Sequence, residues 1–237
     1  MMAKKCILFV VEGKNDKTEI EAILHLPRFA ILRDQYRFYV VPANTDITTV
    51  SKKGKAKTAI SALNAIVEEF RQKEHLKDED IQEVVQVIDL DGCFIPEESI
   101  IKGDFADFEY TDNSIITSNV DGAIGRNRKK CNGIYDLLEK EKVGKTNYSI
   151  YYVSCNMDHL LFNSRYLSPS GKGIKAMEFA CECDKNPDCI DDIIFKKGIC
   201  AEGSYWDTWG FIQNDCESLQ RHTNLNVFFS ERAKNKK

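Results

Sequence analysis

Residues 8–16 read LFVVEGKND, and residues 86–94 read QVIDLDGCF. Each is an apolar run that stops at carboxylates: Glu12 and Asp16 in the first, Asp89 and Asp91 in the second. A continuous short apolar run is the pattern of a strand buried on both faces, as in a parallel sheet covered by helices. Cys6–Val11 and Glu83–Ile88 are therefore read as two such strands. Between them, Gly13 allows a tight turn, and Asn15 or Asp16 caps a helix to about Leu24. Tyr36–Val41 (YRFYVV) is a further strand, stopped by Pro42. Ile60, Leu63, Ile66, Val67 and Phe70 recur at helical spacing, which predicts an amphipathic helix over roughly Ala56–His75. Strand, helix, strand, helix, strand is the order of an α/β fold with right-handed crossovers.

Further along, SIITS (114–118) reads as a short strand, Arg126–Lys140 as a helix and Ser149–Ser154 as a strand, with a helix starting at Met157–Phe162. The rest reads as mainly helical, with segments near Lys172–Cys183, around Asp188–Lys196 and from about Ser204. The expected division is an α/β domain over residues 1–162, with 93–121 as an insertion, and a helical C-terminal region over 163–237.

In such a sheet the carboxyl ends of parallel strands share one edge, and ligands bind there. Residues two apart at a strand end project to the same side, so Asp89 and Asp91 point together. Carboxylates gathered in one place repel unless a cation lies among them. Hard oxygen donors suit Mg²⁺ or Mn²⁺, which also bind substrate phosphates. Taken singly, each fragment is read more simply: EGKND as a turn and helix cap, and DLDG as a turn.

The order "apolar strand, EG, helix, apolar strand, DxD" resembles the TOPRIM domain. The E-G-x-x-D spacing of Glu12 and Asp16 is closer to its nuclease branch, the OLD and RloB-like nucleases and the nuclease subunits of PARIS-type anti-phage systems. The likeness covers about residues 5–162. The continuation Asp91-Gly92-Cys93-Phe94 departs from the topoisomerase and primase branches. SCNMDHLLF (154–162) resembles a later acidic motif of RloB-like proteins, with Asp158 where that family carries glutamate. The resemblance implies a TOPRIM-like, mostly parallel sheet flanked by helices, and hydrolysis of nucleic-acid phosphodiesters. It implies Glu12, Asp89 and Asp91 as catalytic and metal-holding residues, with Asp16 and Asp158 as outer or second-metal ligands. Lys14 would meet charge on the phosphoryl oxygens, and Lys55, Lys57, Arg126 and Lys130 would contact substrate. The implied partners are tRNA or DNA, and an ATPase encoded separately; self-association into a homo-oligomer is also compatible.

Two other functions compete. VIDLDGCF is similar to the nucleophile motif of haloacid-dehalogenase phosphatases, with Asp89 as nucleophile and Asp191-Asp192 as its later acidic pair. Cys93 replaces the expected Thr or Val, and that reading leaves EGKND without a purpose. A catalytically inactive sensor or regulatory subunit is the third.

Composition constrains these readings. The 237 residues are 43% hydrophobic and 30% charged, enough for a core. The net charge of −4 excludes a protein that coats nucleic acid by charge alone, although Lys52, Lys53, Lys55, Lys57 and Arg126, Arg128, Lys129, Lys130 form basic runs. No apolar run approaches the ~18 residues of a membrane span, so a cytoplasmic protein without membrane contact is expected. Nine cysteines fit a reducing setting, as small buried hydrophobes. A zinc site from Cys181, Cys183, Cys189 and Cys200 is the alternative, but no CxxC pair supports it. PSGKGIK (169–175) lacks the spacing of a phosphate loop and reads as a turn; Trp206 and Trp209 read as helix core; and ESLQRHTNLN (217–226) reads as a helix end and capped turn.

Overall fold

The computed structural model describes residues 4–49, 58–104 and 107–234. Its elements, in order, are β1 (Cys6–Val11), α1 (Lys14–His25), α2 (Ala30–Gln35), β2 (Arg37–Pro42), α3 (Ala59–Lys73), β3 (Ile81–Asp89), β4 (Ile100–Lys102), β5 (Glu109–Tyr110), β6 (Ile115–Thr117), α4 (Val120–Leu138), β7 (Lys142–Val143), β8 (Thr146–Val153), α5 (Met157–Phe162), α6 (Pro169–Lys185), α7 (Tyr205–Phe211) and α8 (Leu225–Lys234). The chain gathers into two compact units. One holds the chain up to Ile88 with Gly133–Tyr151 and Pro169–Ile190; the other holds Asp89–Asn132, Tyr152–Ser168 and the chain from Asp191 on.

The main sheet has the order β2-β1-β3-β8-β7. β1 pairs in parallel with both β2 and β3, while β7 and β8 form an antiparallel hairpin. The fold is thus α/β with a mixed, mostly parallel sheet. All six residues of β1 are buried, as its uninterrupted apolar run requires of a strand with neighbours on both sides. β1 runs into Glu12 and its neighbour β3 ends on Asp89, so both strands stop in acids. β2, at the edge, is more exposed, and Pro42 closes it where no ladder donor is needed.

Buried polar groups on the strands of the first unit find partners, as burial demands. The Tyr148 hydroxyl donates to Gln86 Oε1 at 2.7 Å, and the Ser149 hydroxyl donates to Glu83 at 2.6 Å. α3 starts at Thr58, whose hydroxyl oxygen accepts the Ser61 amide, and its Phe70 meets Tyr39 edge to face at 5.0 Å. α6 packs along α1. PSGKGIK is not a free turn: it forms the first two turns of α6, with Pro169 at the start, where a missing N–H costs nothing.

Gly133 is a point of close approach in α4: a Cβ there would overlap the backbone carbonyl oxygen of Thr48. Backbone cannot yield as a flexible side chain can. Gly133→Ala is expected to lower stability by about 2 kcal/mol, despite alanine's better helix propensity, as read from the urea midpoint. An unchanged or raised midpoint would contradict this packing.

Residues 93–121, the expected insertion, carry the strand expected at SIITS as β6 (Ile115–Thr117). They build a second sheet, β4-β6-β5, over a small core of Ile95, Ile100, Ile115, Ala123 and Leu219. The helix expected around Asp188–Lys196 is absent; that stretch is a series of turns. The Thr223-Asn224 pair is not an exposed cap but a fully buried clamp. Asn224 Oδ1 accepts the Tyr152 amide at 2.8 Å, its Nδ2 donates to Thr208 Oγ1 at 3.1 Å, and the Thr223 hydroxyl donates to the Tyr152 carbonyl at 2.8 Å. Trp209 is buried core, as its spacing suggested, whereas Trp206 is 63% exposed. No helix among the described residues is long and apolar enough to cross a membrane.

Candidate functional site

β3 ends on Asp89, and the next three residues turn sharply. Asp91 adopts the left-handed conformation (φ 50°), and Gly92 follows at φ 65°. A non-glycine residue in that region is held there against an intrinsic cost. Several bonds hold it. The Leu90 amide donates to the Val153 carbonyl at 3.0 Å, and the Asp91 amide to the Cys155 carbonyl at 2.7 Å. Cys155 is itself left-handed, at φ 53°. At Gly92, a Cβ would collide with Leu219, so the glycine of DLDG is required both by its φ and by its neighbour.

The carboxylates fall against α4 and α5. The Met157 amide, at the start of α5, donates to Asp89 Oδ1 at 3.2 Å. Asp158 is the next residue and is buried. Asn156 caps α5 by accepting the His159 amide at 2.8 Å, and its amide group donates to the Arg165 carbonyl at 3.0 Å. Thus the turn after β3 and the SCNMD stretch, more than sixty residues apart in sequence, are joined by backbone bonds within one unit.

α4 supplies the positive charge. Residues 126 and 127 each neighbour 130 on that helix, by the i, i+4 and i, i+3 geometry. Arg126 donates to the Asp91 carbonyl at 2.9 Å and to the Tyr110 hydroxyl at 2.8 Å, and its guanidinium stacks 4.2 Å from the centre of the Phe108 ring. Asn127 donates to the Gly92 carbonyl at 3.3 Å. Lys130 Nζ meets Asp91 Oδ2 at 2.6 Å. The Lys130 side chain has no exposed surface, while that of Asp91 keeps 26%. Burial, and then the charge of Asp91, push the Tyr110 phenol well above its usual range, so it stays neutral.

The basic run at 126–130 is therefore not a uniform solvated face. Arg128 is exposed, in a bidentate pair with Glu97 at 2.6 and 2.9 Å. Arg126 and Lys130, expected to contact substrate, are instead bonded to the Asp91 turn. The physical reason is that the turn after β3 packs against this face of α4, so the carbonyl and carboxylate of Asp91 take these cations. Lys55 and Lys57 lie outside the described residues.

The remaining expected residues belong to the end of β1. Glu12 is half-buried, and Lys14 is exposed as the first residue of α1. Asp16 caps that helix by accepting the Gly13 amide at 2.7 Å, which accounts for its place three residues on. His159 is buried, and among the described residues its Nδ1 has no hydrogen-bond partner. Desolvation, with the positive charges of Arg165 and Arg221, lowers its pKa to about 4, so the imidazole is neutral at pH 7.

Asp89, Asp91 and Asp158 offer hard oxygen donors of the kind that suit Mg²⁺ or Mn²⁺. As they stand, no three His, Cys, Asp or Glu side chains among the described residues are arranged to hold an ion. Asp91 spends one oxygen on Lys130, and Asp89 one on α5. The chemistry of the donors fits a divalent ion, whereas a closed ligand cage is not in place. The same finding leaves the zinc reading of Cys181, Cys183, Cys189 and Cys200 without a ligand set.

The residues that spacing missed are Tyr110, Phe108, Asn127 and Asn156. None carries a charge or belongs to a periodic pattern, so no local signal marked them. No family model, no curated protein and no solved structure matches this chain.

Proposed function

We propose that the protein is a metal-dependent nuclease of TOPRIM type that hydrolyses phosphodiester bonds of DNA or RNA. The observation that carries this reading is the Asp89–Asp91 turn: two carboxylates at a strand end, backed by a buried lysine and an aromatic-clamped arginine. A plain turn needs no such support, and preorganised charges of this kind gather at functional sites. The resemblance adds Asp158, on α5, as an outer or second-metal ligand. It also adds Glu12 as a metal ligand or base, Asp16 as an outer or second-metal ligand, and Lys14 as a cation for phosphoryl charge. When bound, Mg²⁺ or Mn²⁺ would activate water and stabilise the leaving oxygen. The resemblance extends the reading to an anti-phage effector that works with a separately encoded ATPase.

The test incubates the purified chain with plasmid, single-stranded DNA and total tRNA, in Mg²⁺, Mn²⁺ or EDTA, beside Asp89→Asn. Cleavage of at least one substrate, lost with EDTA and in the variant, is expected. Turnover of a simple phosphate monoester with trapping by BeF₃⁻, and no nuclease activity, would replace this reading with the phosphatase one.

A further inference from the structure

A pair of thiols in the first unit is not used by the proposed activity. Cys183 lies on the inner face of α6, buried alongside Ala176 and Phe179. Six residues on, Cys189 lies in the turn that follows Pro187 and is half-buried. The two sulfurs are 3.1 Å apart, one thiol donating to the other. Backbone bonds set this approach. The Asn186 amide donates to the Glu182 carbonyl at 2.8 Å and the Cys189 amide to the Asn186 carbonyl at 3.1 Å, folding the chain back on the helix end. The Asp188 amide adds a bond to Asn186 Oδ1 at 3.2 Å.

We propose that Cys183 and Cys189 are a redox modification site, a dithiol that peroxides convert to an intramolecular disulfide. A covalent S–S bond is about 2.05 Å long, so the sulfurs close by about 1 Å, within reach of side-chain adjustment on a fixed backbone. Cys189 is the more exposed thiol and reacts first. Its thiolate attacks the O–O bond of hydrogen peroxide or an alkyl hydroperoxide, giving a sulfenic acid and releasing water or the alcohol. The Cys183 sulfur then attacks the sulfenic sulfur. The S–O bond breaks, and the hydroxyl leaves as water with the Cys183 proton. Two thiols are oxidised by two electrons and one peroxide is reduced. Burial, and then the hydrogen bond with Cys189, raise the Cys183 pKa well above its usual value, which assigns it the second step.

Cys93 and Cys131 form a second, hydrogen-bonded thiol pair. The Cys131 thiol points to the backbone carbonyl of Cys93 at 3.1 Å. Cys181 is exposed.

The experiment treats the reduced, full-length protein with one equivalent of hydrogen peroxide and measures intact mass, free thiols and non-reduced peptide maps. Expected are a loss of about 2 Da, disappearance of two of the nine thiols, and a peptide joining Cys183 to Cys189. Dithiothreitol restores all nine thiols. Cys189→Ser, at the half-buried position, is expected to gain no intramolecular bridge. A bridge at Cys93–Cys131, an intermolecular bridge through Cys181, or Cys189 carried to sulfinic acid with Cys183 still reduced would each overturn the assignment.

Discussion

Lys130→Met is expected to lower the unfolding free energy by about 3 kcal/mol, read as a shift of the urea midpoint at unchanged slope. The ammonium is fully buried and 2.6 Å from Asp91 Oδ2. Removing it leaves a carboxylate in a partly desolvated place without its counter-charge, and such breaks cost far more than the pair contributes. Methionine keeps the length and most of the packing of the aliphatic stem, so the loss reports charge rather than a cavity. Adding Asp91→Asn in the same chain removes the orphaned charge and is expected to restore part of the stability. The non-additivity of the two changes measures the pair. Equal stability of wild type and Lys130→Met would show that the ion pair does not hold this turn.

Asp89→Asn is expected to reduce nuclease activity at least ~100-fold while leaving the fold intact. Asparagine keeps an oxygen able to accept the Met157 amide, the bond that ties Asp89 to α5. What it removes is negative charge, and with it the donor strength that a hard cation requires. Asp89→Asn and Lys130→Met therefore separate two uses of the same turn, since the first changes activity at constant stability and the second changes stability. A folded Asp89→Asn variant as active as wild type would remove Asp89 from the chemistry.

The α/β order was legible because β1 and β3 are continuous apolar runs, and such runs have one common explanation in a sheet covered on both sides. The helices α3 and α6 were legible to within a few residues, since their buried positions recur at helical spacing. Of the second sheet, β6 was legible as SIITS, whereas β4 and β5 are three and two residues long, too short for a period to register. The stretch at 188–196 misled for the opposite reason. Ile190 and Ile194 are buried and four apart, which mimics a helix face, yet the chain between them is a run of turns.

At the site, the acids stood out because they interrupt apolar runs, whereas their support did not. Lys130 reads as a substrate contact in a run of four basic residues; its burial goes with a partner thirty-nine residues away, which no local pattern marks. Tyr110 sits in β5, paired with β6, and Phe108 just before it; both meet Arg126 from a part of the chain that no local pattern links to α4.

The account rests on carboxylates that hold a divalent ion, and Mn²⁺ binding followed by electron paramagnetic resonance tests it most directly. Free Mn²⁺ gives a strong six-line signal that is lost on binding, so titrating wild type and Asp89→Asn yields two comparable isotherms. The account predicts saturable binding by wild type, weakened at least ~10-fold in the variant, with Mg²⁺ competing for the same site. Identical isotherms, or no binding by wild type up to millimolar Mn²⁺, would contradict it.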